Sequence, residues 1–314
     1  MKHKLSCGVL AIALAGMLAA PASAGLTPYS QDFEGLDAMD TGALGADSWL
    51  VFGNVFNGAN GNYLYGYGPF PAPNDGAAFS AIVSGEGGPP QGAQQLSVFS
   101  DYNNGDHGNG RFIEANVFQE RIVSAADVDS TWLFEFDAKR GNIEGVTTAL
   151  AFFKTLDPNA GFALTNFITV DMTGVTDAWT SHHLSIGIDA GLVGQILQFG
   201  YLNTATNYEG SAVYYDNVNF AGFITLCHLP PGNPDNGHTI TVGLGSKDAH
   251  LAHGDFVGAC RSTVDTEVTG VGETFNKPDV LGRDYVHDTP PVMHRRPKVK
   301  VGSSKPKLVD PSGR

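Results

Sequence analysis

The sequence predicts an all-β chain: a two-sheet sandwich over residues 25–222, a small disulfide-closed module over 223–260, and a disordered basic tail over 261–314. Three observations predict it. Short runs rich in β-branched and aromatic residues recur along 25–222, separated by Gly, Asn, Asp and Pro. No part of that region sustains a helical period. Beyond the first 24 residues only two cysteines remain, Cys227 and Cys260, bounding a stretch that holds four of the ten histidines.

Residues 1–24 read as a signal peptide. MKHK is a basic start, CGVLAIALAGMLAA an apolar run too short to span a membrane comfortably, and PASA a small-residue site before a cut after Ala24. Cys7 stands at the start of the apolar run instead of following it, which argues against a lipoprotein anchor. No second apolar segment follows, so the expected product is a secreted, periplasmic or cell-surface protein without a transmembrane segment.

Nine runs carry the strand pattern: 49–56, 94–100, 111–120, 131–139, 148–154, 167–172, 179–188, 195–202 and 211–220. In TWLFEFDAK, Trp132, Phe134 and Phe136 share one face while Glu135 and Asp137 take the other, the period of a strand buried on one side. Nearly 200 residues with many strands suit a sandwich, with a core large enough to need no disulfide. Long loops rich in Gly, Asn, Tyr and Pro (57–79, 84–92 and 100–110) offer binding surfaces or plain connections.

Charge divides the chain. Residues 25–260 carry 25 acidic and 6 basic side chains, whereas 261–314 carry 10 basic and 7 acidic. An acidic body argues against a nucleic-acid groove and is compatible with calcium and uncharged sugars. The Pro-rich basic tail reads as disordered, either a floppy terminus or a tether to an anionic cell envelope.

Three places resemble the jelly-roll carbohydrate-binding modules of the family 4, 9 and 22 type, within the galactose-binding-like superfamily. They are YSQDFEGLDAMDTGALGADSW (29–49), QGAQQLSVFS followed by WLFEFDAKRG, and the closing GSAVYYDNVNF. The resemblance implies that the first and last strands are neighbours, with a structural calcium where they meet. That puts forward Glu34 and Asp216 as ligands and Asp32 as a third; calcium takes six to eight oxygens, carboxylates prominent among them. The alternative is that these carboxylates cap strand ends or bond loop backbone.

Polysaccharide binding, the function the resemblance implies, needs rings that stack on pyranose faces beside amides and carboxylates that bond hydroxyls. Tyr63, Tyr65, Tyr67 and Phe70 with Asn62 and Asn74 form one candidate set, and Tyr102, Asn103, Asn104 and Asp106 a second. The three tyrosines of 63–67 also share a strand face and could be core. An enzyme is the less favoured class. Glu135 and Asp137 in FEFD are similar to the Glu-x-Asp core of laminarinase-type sandwich enzymes, but AKRG stands where that motif continues to a further Glu. No Gly-x-Ser-x-Gly elbow, His-Glu-x-x-His helix or phosphate loop is present. The competing class is a structural protein of the envelope or matrix that binds other proteins or its own copies.

Residues 227–260 resemble a short module near the C-termini of exported bacterial proteins. Its pattern is Cys-His, Pro-Pro-Gly-Asn-Pro, His-Thr-Ile-x-Val, Ala-His-Leu-x-His-Gly-Asp and a closing Cys. In an oxidising compartment Cys227 and Cys260 have each other as partners. PPGNPDNG reads as a turn, TITVG as a strand and KDAHLAHGD as a helical turn or two ended by Gly254. Two readings of the histidines stand. His228, His238, His250 and His253 with Asp255 form a zinc or copper site, or they bond backbone carbonyls and so order a module with little core.

Overall fold

The computed structural model describes residues 25–59, 61–74, 80–102 and 104–260. Fourteen strands lie among them: β1 (Tyr29–Gln31), β2 (Leu50–Asn57), β3 (Tyr63–Tyr67), β4 (Ala81–Ser84), β5 (Gln94–Val98), β6 (Arg111–Ile122) and β7 (Ser130–Arg140), then β8 (Thr148–Asp157), β9 (Ala163–Asp171), β10 (Thr180–Gly187), β11 (Ile196–Ala205), β12 (Val213–His228), β13 (His238–Gly243) and β14 (Phe256–Val257). The signal-peptide and tail readings, together with Asn103, lie outside the described residues.

Two antiparallel sheets form a jelly-roll sandwich. One runs β10-β7-β12-β5-β4, with β1, β13 and β14 also paired to β12; the other runs β3-β2-β6-β11-β8-β9. All nine strand runs read from the sequence are strands. The first and last strands of the sandwich are neighbours, with Tyr29 opposite Phe220 and Gln31 opposite Val218.

The alternation that predicted β7 is what builds the core. Trp132, Phe134 and Phe136 are buried; Phe134 and Phe136 meet rings from the facing sheet, while Trp132 stacks on Phe220 of its own sheet. Phe199 of β11 stacks on Phe220 of β12 with centroids 4.1 Å apart, and Tyr201 stacks on Tyr215 at 3.6 Å. Phe134 meets Phe199 edge-on at 5.2 Å. Two facing sheets thus interdigitate aromatic rings, each pair contributing about 0.5–1.5 kcal/mol beyond the area it buries.

β12 organises the rest. Its first residues pair with β5, Val218–Phe220 with β1, and Phe223–His228 with β13. Between the first two partners its pairing to β7 slips by a bulge at Asp216–Asn219, with Asn217 at φ 48°. The strand continues unbroken past residue 222 into the Cys/His stretch, where β13 and β14 extend the sheet. Leu244 seats over Gly222 and Trp132: a Cβ at Gly222 would lie 2.4 Å from Leu244 Cδ1 and 2.6 Å from the Trp132 ring. Only a glycine permits that approach.

Candidate functional site

Three places gather chemistry-bearing side chains: the bulge on β12, the outer face of the six-stranded sheet with its β3 edge, and the Cys/His stretch.

At the bulge, Asp216 is fully buried. Its Oδ1 accepts the Asn217 N–H at 2.6 Å, while Oδ2 is buried without a hydrogen-bond partner. Burial pushes this carboxyl up to about 7; bonds from Asn217 and Gln95 oppose the rise, and the charges of Asp32 and Glu34 add to it. Glu34 Oε1 accepts the N–H groups of Ala93 and Gln94, each at 2.6 Å, and Asp32 Oδ1 accepts the Glu34 N–H at 3.2 Å. Each of these two carboxylates therefore has an oxygen holding loop backbone. A surface depression lined by Ser30, Gln31, Asp32, Asn217 and Val218 opens beside them. Three carboxylates, one with a buried orphan oxygen, are the donor chemistry a hard cation takes.

The sugar-binding sets drawn from the sequence divide in the fold. A bulge between Val55 and Phe56 sets Tyr65 opposite Val55 but Tyr63 opposite Phe56, so the three tyrosines do not share one face. Tyr63 and Tyr65 are 59% and 41% exposed and are not core. Tyr67 lies over Gly53, and its hydroxyl donates to Asp101 at 2.9 Å. Phe70 packs on the main core, Asn74 is half-buried, and Tyr102 packs against Phe99 and His107. Tyr65 joins the second set: its hydroxyl donates to Asp106 at 3.0 Å and accepts from Asn104 at 3.2 Å. Burial pulls the Asp106 carboxyl up, but bonds from Tyr65, Asn109 and Arg111 outweigh it and hold it below the usual range. These side chains form a self-satisfied knot at the β3 edge.

The outer face of the six-stranded sheet carries what the sequence reading missed. Cross-strand register lays its side chains in rows. Leu50, Phe118, Gly200 and Phe152 form one; Phe52, Asn116, Leu202 and Leu150 the next; Asn54, Glu114, Thr204 and Thr148 a third. Phe118, Phe152 and Leu202 make a second apolar cluster, flanked by Leu50, Phe52 and Leu150. Gly200, between the two phenylalanines, cannot carry a side chain: its Cβ would lie 2.2 Å from the Val117 carbonyl oxygen.

Polar groups are set into this apolar floor. Glu114 Oε1 accepts from Asn54 and Asn116 Nδ2, each at 3.0 Å, and Lys154 Nζ lies 3.8 Å away. Lys154 donates to Asn116 Oδ1 at 3.3 Å and stands 4.4 Å from the Phe152 ring and 5.2 Å from Phe167. Burial lowers the Lys154 ammonium below its ordinary value, against the pull of Glu114. At one end Phe56 and Phe112 stack at 4.7 Å, with Tyr63 edge-on to Phe56 at 5.8 Å. Among the described residues no strand or helix forms a third layer over this face. The signal was present in the sequence: RFIEANVF and TALAFFK place large apolar side chains at both parities, Phe112 and Phe118 against Ile113 and Val117, and Phe152 against Phe153, which marks a sheet apolar on both faces.

Glu135 and Asp137 serve the scaffold. Glu135 accepts from Asn219, and Asp137 from Gln91, Ser181 and Asn217 at 2.6–2.9 Å. Burial would raise the Asp137 carboxyl, but those bonds hold it below its ordinary value.

In the Cys/His stretch, Cys227 and Cys260 form the expected disulfide, Cα atoms 4.6 Å apart. Lys247–Ala252 is a six-residue helix, α2 (α1 being the single turn Ala43–Ala46 between β1 and β2), with His253 as its C-cap and Gly254 at φ 106°. His228, His250, His253 and Asp255 come together; Asp255 Oδ2 meets Nδ1 of His228 at 2.8 Å and of His250 at 2.7 Å. Its Oδ1 accepts the Leu229 N–H at 2.8 Å and lies 3.4 Å from His253 Nδ1. Burial works against ionisation of Asp255, yet the Leu229 N–H and the two imidazoles hold its carboxyl well below the usual carboxylate range. His238 flanks the group, 5.3 Å from the His228 ring, with Nδ1 against the Asn236 carbonyl at 3.3 Å. Only His238 of the four matches the backbone-carbonyl reading; the others converge on a carboxylate.

Among the described residues no helix is long and apolar enough to cross a membrane. No family model matches the chain, and no curated protein does. Solved structures it is similar to include a cyclase from Fischerella sp. TAU, 11% identical, covering 62% of this chain and 98% of that one with a TM-score of 0.38. The CBM22-2 xylan-binding domain from Paenibacillus barcinonensis Xyn10C is 14% identical, covering 61% of this chain and 97% of that one, with a TM-score of 0.32. The enzymatically active domain of Bacteriophage CBA120 tailspike protein 4 is 14% identical over 55% of this chain, TM-score 0.33, and the present chain spans 19% of it.

Proposed function

We propose that this is a non-catalytic exported protein whose sandwich binds polysaccharide along the outer face of the six-stranded sheet. One observation carries the reading: a sheet face that no strand or helix among the described residues covers, on which rings and aliphatic groups surround the Glu114–Asn116–Lys154 network. A pyranose has apolar C–H faces and a rim of hydroxyls. Flat rings serve the first, and a carboxylate, an amide and an ammonium held in place serve the second. Tyr63 of the original set belongs to this surface; Tyr65, Asn104 and Asp106 flank it.

Calcium belongs to the same proposal. Asp216, Asp32 and Glu34 would hold it, and its charge would relieve a buried carboxylate left with an orphan oxygen. Anchoring by the basic segment 261–314 to an anionic envelope is the matching proposal for location.

The test is retention of residues 25–314 on a panel of xylans, glucans and galactans, with calcium and then with chelator. Selective retention that Phe112→Ala and Glu114→Gln abolish supports the face as the site, and weakening by chelator supports the calcium. Retention that survives those two changes but falls with Tyr65→Ala moves the site to the β3 edge.

A second reading rests on a different observation. Ile122, Ile196, Leu156 and Leu164 form an aliphatic row across four strands of the same face, ending at edge strand β9, with Ile122 59% and Leu164 52% exposed. Such a row and edge suit association with a second copy. Sedimentation that shows a dimer lost on Leu164→Lys, with no glycan retained, would favour it.

A further inference from the structure

We propose that His228, His250, His253 and Asp255 form a binding site for a late first-row divalent metal ion, zinc or copper, separate from the sugar-binding face and from the carboxylates of the β12 bulge.

The convergence is built from four places in the fold. His228 ends β12 directly after the bridged Cys227, His250 lies in α2, His253 caps that helix, and Asp255 precedes β14. One potential donor atom from each lies within 4.8 Å of the others. The spacing of three brings the rings of His250 and His253 to 5.3 Å, and the disulfide and the Leu229 N–H bond to Asp255 fix the remaining pair.

Hydrogen bonding alone accounts for only part of this arrangement. Asp255 Oδ2 is satisfied by His228 and His250, and Oδ1 by the Leu229 backbone. His253 Nδ1 nevertheless points to the same carboxylate at 3.4 Å, too far for a good N–H···O bond. A third imidazole with no bond to make there is explained if the four groups share a cation.

The donor set also selects the ion. With both cysteines oxidised no thiolate is offered, leaving imidazole nitrogen and one carboxylate, which suit Zn²⁺ and Cu²⁺ and serve Ca²⁺ or Mg²⁺ poorly. The Asp255 side chain is fully shielded while those of His228, His250 and His253 are 21%, 22% and 35% exposed, so an ion can enter from solvent on the histidine side.

The experiment uses the full chain, purified without a polyhistidine tag, disulfide intact, stripped by chelator and titrated with ZnCl2 or CuCl2 by calorimetry and chelator competition. The expected result is one equivalent bound with a Kd at or below about 1 µM, with Cu²⁺ tighter than Zn²⁺ as the usual affinity order requires. His253→Gln leaves both short bonds to Asp255 in place and should keep the fold while weakening binding at least tenfold. His238→Gln should change it less than threefold. Nitrogen hyperfine structure in the Cu²⁺ spectrum should be present in the parent and reduced in His253→Gln. A folded protein that binds neither ion below about 1 mM, or whose affinity is unchanged by both His253→Gln and His250→Gln, overturns the proposal.

Discussion

The sandwich and the Cys/His stretch share strand β12 but are held together by opposite means. The sandwich buries Trp49, Trp132, Phe134, Phe136, Phe153, Phe199, Tyr201 and Phe220 between two sheets. Among residues 228–260 the one buried side chain is a carboxylate, that of Asp255. One region rests on apolar area removed from water; the other on a covalent bond, backbone pairing to β12 and a polar cluster. A stretch of thirty-odd residues cannot build its own core, and here it borrows one, through Leu244 against Trp132 and through Ile224 and Leu226 of the shared strand.

The sharpest way to break this contrast is to damage each region and ask how far the damage spreads. Phe134→Ala removes a ring that meets Phe136, Phe153, Phe199 and Tyr201, and should cost about 3–5 kcal/mol. Because the core is one contiguous cluster, the loss should appear as a lower global denaturation midpoint seen equally by tryptophan fluorescence and circular dichroism. Cys227→Ala with Cys260→Ala opens a loop with a sequence separation of 33, worth about 3–4 kcal/mol in the loop-entropy picture. Its effect should stay local: amide exchange should accelerate in β13 and α2 while β7 and β11 keep their protection. If β7 loses protection to the same degree, the two regions form one cooperative unit and the contrast fails.

What could be read in advance follows the same division. The inward strands were legible because burial on one side writes a period of two, as in Trp132, Phe134 and Phe136. β4, four residues long, was not, and the three-residue β1 was expected beside the last strand only through the resemblance, since both depend on pairing with β5 and β12 rather than on a pattern of their own. The polar network on the outer face was hidden for a related reason. Glu114 and Lys154 lie 40 residues apart in sequence, and only the β6–β11–β8 register brings them together. The Tyr63–Tyr65–Tyr67 alternation misled because one bulge opposite Val55 and Phe56 divides it. The histidine group was legible because helical spacing joins His250 to His253 and the cysteines announce where the chain returns.

A smaller effect separates the regions by pH. His107 is buried beside the sandwich, with Nε2 2.9 Å from the Asp101 carbonyl and Nδ1 without a hydrogen-bond partner. Burial lowers its pKa below the ordinary 6.5, against raising contributions from Asp101, Glu209 and Asp106. The unfolded chain therefore takes up this proton at a higher pH than the folded one. Stability is fully present above about 6.5 and falls as pH drops from there toward the folded pKa. Urea midpoints measured at pH 7.5 and 5.5 should decrease, and His107→Gln should flatten the part of that decrease due to this ring. An unchanged slope in the variant would assign the acid sensitivity elsewhere.

The smallest expected change tests the outer face without touching the fold. The Tyr63 ring is 59% exposed and meets Phe56 edge-on at the end of the aromatic row. Tyr63→Ala removes one surface ring contact worth about 0.5–1.5 kcal/mol, so polysaccharide affinity should fall about two- to tenfold with the melting temperature unchanged. Tyr65→Ala, by contrast, breaks bonds to Asp106 and Asn104 and should loosen the 104–110 loop before it affects any ligand. Two tyrosines two residues apart would then give opposite signatures, binding without stability and stability without binding. That difference is what the bulge between Val55 and Phe56 requires, since it turns one ring onto the outer face proposed for binding and the other into the edge knot.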